Sequence, residues 1–114
     1  MNTTEKFKVI KDYLEKEIAD WKATDKQQFG NIDLNTSLTI SGRIGGLQIA
    51  ENFMKTNEHN NENWHKLISK VNTEIEKTQD TMNREIDIEG KNYLSGQIQG
   101  LRNVKIQIQI LEEK

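Results

Sequence analysis

A chain of 114 residues that is 33% apolar and 30% charged suits one soluble domain with a lean core. A net charge of −2 argues against a global basic field for nucleic acid, and the absence of Cys rules out disulfides and thiolate metal sites. No apolar run approaches the roughly 20 residues that a membrane span needs, and no signal peptide is expected.

The first expected element is a helix over about residues 4–23. Thr3 or Thr4 can cap it, and Glu5 sits where the helix dipole favours a carboxylate. Phe7, Ile10, Leu14, Ile18 and Trp21 keep one face at a helical period. Residues 24–36 lose that period and hold Gly30, Asn31, Asp33 and Asn35, which predicts a loop. Within it, Phe29, Ile32 and Leu34 are expected to cover one end of the core.

A second helix is expected over about 37–56, capped by Thr36 or Ser37, followed by a polar turn at 57–63. A third spans about 62–87, with Trp64, Ile68, Val71, Ile75, Thr78 and Met82 on a heptad seam. Gly90 marks the next break, and a fourth helix covers about 91–112. Val104, Ile106, Ile108 and Ile110 alternate with polar residues, a strand pattern. The matching stretch 50–56 does not alternate, so helix is the preferred reading. Zero Pro suits four long helices.

The chain repeats itself. Ser41-Gly42-Arg43-Ile44-Gly45-Gly46-Leu47 returns as Ser95-Gly96-Gln97-Ile98-Gln99-Gly100-Leu101, a shift of 54 positions. The first-helix stripe returns as Trp64, Leu67, Val71, Ile75 and Thr78 with a shift of 57, and only Thr78, opposite Trp21, breaks the match. Two tandem helical hairpins, about 1–57 and 58–114, therefore build one all-α domain, an antiparallel four-helix bundle.

Gly42 and Gly46 share a helix face, as do Gly96 and Gly100. A mid-helix Gly costs about 1 kcal/mol relative to Ala, so the four together cost about 4 kcal/mol. Either close helix crossing or a cleft where a ligand meets bare backbone would offset this. Ile49 and Phe53, and likewise Ile106 and Ile110, lie off the main stripes. A second apolar face predicts a homo-oligomer, a dimer or higher, unless loop 24–36 folds over it.

Arg43 and Arg102 flank the glycine pairs, with Gln48, Gln97, Gln99, Asn103, Gln107 and Tyr93 nearby. Such groups can hold a phosphate and stack a base, although exposed Arg and Gln are usually just solvated. His59, His65, Glu58 and Glu62 lack a recurring metal-ligand spacing. Ser41, Ser69 and Ser95 lack a His and acid arrangement, and no phosphate-binding Gly loop follows a strand. No catalytic residue, metal or cofactor is expected, and the chain reads as a non-enzyme.

The segment Tyr93-Leu94-Ser95-Gly96-Gln97-Ile98-Gln99-Gly100-Leu101-Arg102-Asn103-Val104 resembles small helical-hairpin proteins encoded by tailed phages. In many of those, Tyr is followed after two residues by Gly, Gln or Arg, Ile, any residue, a small residue and Leu, opening the last helix. The first half carries Thr39 in place of Tyr, and the resemblance covers roughly 20 residues per half. Such proteins include counter-defence factors, some of them oligomeric sponges for cyclic-nucleotide immune signals, and companions of virion assembly. The resemblance implies a cytoplasmic protein of the infected host that sequesters a signalling nucleotide or blocks a host defence protein. The alternative is a structural oligomer with no small ligand. It carries no binding residue with it.

Overall fold

The computed structural model describes residues 1–28, 30, 33–55 and 58–113. They form four helices: α1 (Thr3–Gln28), α2 (Leu34–Lys55), α3 (Asn61–Arg84) and α4 (Ile88–Glu112). The alternating stretch near the C-terminus is helical. Val104, Ile108 and Leu111 are buried while Ile106 and Ile110 are exposed, which is a helical period.

The helix ends differ from the sequence-based bounds, for local reasons. α1 runs on to Gln28 because Thr24, Asp25, Lys26 and Gln27 have no conformational reason to stop it; the Thr24 hydroxyl donates back to the Asp20 carbonyl at 3.0 Å. α2 begins at Leu34, not at Ser37. The Asp33 carboxylate caps it by accepting the Thr36 N–H at 2.8 Å. α4 begins at Ile88, capped by Asp87, whose carboxylate accepts the Glu89 N–H at 3.1 Å. Gly90 therefore lies inside the first turn of α4 and is no break. Asp33 and Asp87 are themselves a repeat pair, so the duplication reaches back to the caps. α3 is capped by Asn60 and ends at Arg84. Leu34 is 57% exposed and covers no core, while Phe29 and Ile32 lie outside the described residues.

The repeated apolar stripes build the core. Phe7, Ile10, Leu14 and Ile18 of α1 meet Leu47, Ala50 and Met54 of α2, together with Trp64, Leu67 and Val71 of α3 and Val104, Ile108 and Leu111 of α4. Each large aliphatic side chain or Phe among them contributes about 1.5–3 kcal/mol on burial. At one end Phe7 stacks on His59, with centroids 4.3 Å apart, and takes Trp64 edge-on at 5.2 Å. The Trp64 indole N–H donates to the Glu112 carboxylate, which ties α3 to the end of α4.

Neighbours in sequence are antiparallel: Trp64 reaches Glu112, and Gln97 reaches Thr78. The diagonal pair α2 and α4 runs parallel and is in closest contact, because the glycines allow it. A Cβ on Gly42 would collide with the Tyr93 carbonyl oxygen, and one on Gly96 with the Thr39 carbonyl. Gly46 meets Gln97 and Gly100 meets Arg43 in the same way. The four contacts obey the 54-residue shift, so a pseudo-two-fold axis runs along the α2–α4 seam. The second α-hydrogen of each glycine takes the missing Cβ direction and points at a carbonyl oxygen. Weak C–H···O contacts of about 0.5–1 kcal/mol each, with the dispersion of touching backbones, offset the propensity cost.

Candidate ligand groove beside the glycine crossing

Because the four glycines face backbone, they line no cleft. Grooves open on the flanks of the seam. On the α1 side, Arg43 leaves the crossing next to Gly42 and lays its guanidinium over Trp21, 4.6 Å from the ring centroid. It also donates to the Gln99 side-chain oxygen, and the Gln99 amide reaches the Ser95 hydroxyl at 3.5 Å. This half-buried Arg is thus fixed by an aromatic face on one helix and an amide on another.

A groove of about 380 Å³ opens beside it, lined by Trp21, Thr24, Gln28, Thr36, Thr39, Ile40, Arg43 and Gln99. The size falls within the roughly 300–1,000 Å³ of small-molecule sites. The lining combines the Arg43 guanidinium, the Trp21 indole on which it stacks, two amides and three Thr hydroxyls, and the Asp33 carboxylate lies beside it on the Thr36 N–H. The Thr39 hydroxyl donates to the Asn35 carbonyl at 2.9 Å. Nearby, burial raises the Tyr13 pKa above its ordinary value, the Glu17 charge raises it further, and the Arg43 charge lowers it. Arg43 is therefore felt by α1 at both Trp21 and Tyr13.

The structure divides the residues singled out from the sequence. Arg43 faces α1. Gln97, its repeat mate, donates instead to the Thr78 hydroxyl on α3 at 3.2 Å. Tyr93 lies along α2 with its hydroxyl over Gly45, where a Cβ would come within 2.8 Å of it. Arg102 is exposed on α4, and Gln48 is half-buried on α2. Of the five, only Arg43 reaches the groove. Trp21 was legible only as core, and Gln99 only as surroundings. One weak signal joined them: Trp21 and Arg43 are among the positions where the repeat changes type, to Thr78 and Gln97.

Of the off-stripe apolar residues, Ile49 is half-buried. Phe53 packs against the core, with the Lys70 ammonium 5.6 Å over its ring, so α3 covers part of the second face of α2. Ile106 and Ile110 on α4 are 49% and 43% exposed. His59 is committed to Phe7, whereas His65 is exposed on α3. Among the described residues no three His, Cys, Asp or Glu side chains gather as metal ligands, and no helix is long and apolar enough to cross a membrane. Comparison with known proteins finds no family model, curated protein or solved structure that matches the chain.

Proposed function

We propose that this chain is a non-enzymatic binding protein whose α1–α2 groove sequesters a signalling nucleotide. The observation that carries the reading is Arg43, held over Trp21 and against Gln99 at the edge of a groove. A guanidinium fixed in this way keeps donors for a phosphate, and the hydroxyls and amides beside it suit a ribose and the edge of a base. Rigid placement lowers the ordering cost of binding. The likeness of residues 93–104 to phage hairpin proteins supports a counter-defence role in an infected bacterial cytoplasm.

The test is equilibrium binding of cyclic mononucleotides and cyclic dinucleotides, read by Trp fluorescence and by native mass spectrometry of gently purified protein. The expected result is a bound nucleotide whose affinity falls at least about ten-fold in Arg43→Ala, the scale of one lost charge-assisted contact. No binding, or equal binding by that variant, overturns the site.

A second reading is a structural or protein-blocking oligomer, favoured by the open Ile106 and Ile110 on α4. Sedimentation at rising concentration checks it. An oligomer lost in Ile106→Glu/Ile110→Glu supports it, and a monomer throughout removes it.

A further inference from the structure

We propose that a second groove, on the α3–α4 flank at the same end of the bundle, is a docking site for a lysine- or arginine-bearing segment of a partner protein. It is separate from the Arg43 groove and does not rest on the nucleotide reading. It is a shallow, open groove of about 430 Å³, lined by apolar Leu38, Tyr93 and Leu94 and by acidic Glu85, Asp87 and Glu89.

Two of these carboxylates are held in place by backbone. Glu85 accepts the Asp87 N–H at 3.1 Å, and Asp87 accepts the Glu89 N–H at 3.1 Å. Gly90 makes room for this, because a Cβ there would lie 2.9 Å from the Glu85 side chain. Among the described residues, none of the three carboxylates has an ion-pair partner, whereas nearby Asp80 is paired with Arg84. Ile86 and Ile88 flank them, 97% and 61% exposed. Because α2 and α4 run parallel, Leu34, the repeat mate of Ile88, adds its exposed side chain to the same end.

The apolar and acidic lining together select the occupant. A Lys or Arg stem can lie on Leu38 and Leu94 while its cation reaches the carboxylates, and Tyr93 adds a ring face. The acidic lining repels anionic lipid headgroups, and it repels a second copy presenting the same lining. The matching groove on the α1–α2 flank is lined by Arg43 and Gln28 where this one has Tyr93 and Glu85 nearby, and Asp33, the repeat mate of Asp87, lies beside its Thr36.

The experiment uses the isotope-labelled full chain and a synthetic peptide that alternates Leu with Lys and Arg. The same peptide with Glu at each basic position is the control. Leu38, Thr81, Tyr93 and Leu94 resonances are expected to shift with the basic peptide only. Affinity is expected to fall about ten-fold in Glu85→Gln/Glu89→Gln and several-fold in Ile88→Ser, with helicity and Arg43→Ala binding unchanged. Absence of binding, or shifts that map elsewhere, overturns the proposal. So does weakening by the charge variants alone, with Ile88→Ser and Leu38→Ser both unaffected, since that marks diffuse charge attraction. Ile88→Ser keeps the test independent of folding, because Ile88 is already in solvent.

Discussion

Arg43 holds its guanidinium 4.6 Å from the ring centroid of Trp21, and at this pair the two halves of the chain diverge. Their repeat mates, Gln97 and Thr78, meet through a 3.2 Å hydrogen bond. A stacked cation in one hairpin thus takes the place of a neutral hydrogen bond in the other, at the same point of the fold. A double-mutant cycle with Trp21→Thr and Arg43→Gln is expected to give a coupling of about 1 kcal/mol by urea unfolding. Additive effects would mean that the two side chains do not support each other.

The glycine seam reverses a helix-propensity rule. Ala exceeds Gly by about 1 kcal/mol in a free helix, yet Gly46→Ala and Gly96→Ala are expected to destabilise by about 2–3 kcal/mol, because each Cβ meets a backbone carbonyl that cannot move alone. Gly45 is the internal control. Its Cβ meets the Tyr93 hydroxyl at 2.8 Å and the ring Cζ at an ordinary 3.6 Å, and Tyr93→Phe removes the close atom. In the Tyr93→Phe background, Gly45→Ala should gain up to about 1 kcal/mol. Thermal melts of the three variants settle the ordering.

Tyr13 reports on Arg43 by titration. Its pKa is raised, first by burial and then by Glu17, while Arg43 opposes the rise. Removing the opposing charge in Arg43→Gln should therefore raise it further, measured by phenolate absorbance in a Tyr93→Phe background. The linked stability has a definite sign. A raised folded pKa stabilises the fold below the ordinary value of 10.0, and that stability is lost as pH climbs through the folded value. Tyr13→Phe should lose less stability than the parent over that alkaline range.

Asp33 behaves oppositely. Its pKa is lowered, chiefly by the Thr36 N–H that its carboxylate accepts. A lowered folded pKa stabilises the fold above the ordinary 3.8, and that support disappears as pH falls through the folded value. Asp33→Ala should fray the first turn of α2 at neutral pH. The difference from the parent should vanish in acid, as read by amide exchange at Thr36 and Ser37. A gap that persists in acid would assign the effect to something other than the charged cap.

The helices were legible because buried positions recur at a helical period. Phe7 to Ile18, Trp64 to Val71 and Val104 to Leu111 all reach the core. Their starts were less legible. Leu34 and Ile88 are apolar but exposed, so they break the stripe just where α2 and α4 begin, and the capping Asp33 and Asp87 precede them. The candidate groove was legible only in part. Arg43 stood out beside the glycines, but a Trp at a core spacing reads as core whatever lies across from it.

Local pattern and duplication settle which residues are helical, which face inward and that the two halves correspond. These depend on neighbours a few positions away or on a fixed shift along the chain. Whether the glycines open a cleft or close a seam depends on the direction in which α2 passes α4. The parallel crossing sets Gly42 against Tyr93 and Gly96 against Thr39, so the bare faces fill each other. The same crossing turns Arg43 toward α1 and Gln97 toward α3, because equivalent residues across a two-fold point to opposite sides. No spacing along the chain carries that information, since it arises only when the two backbones touch.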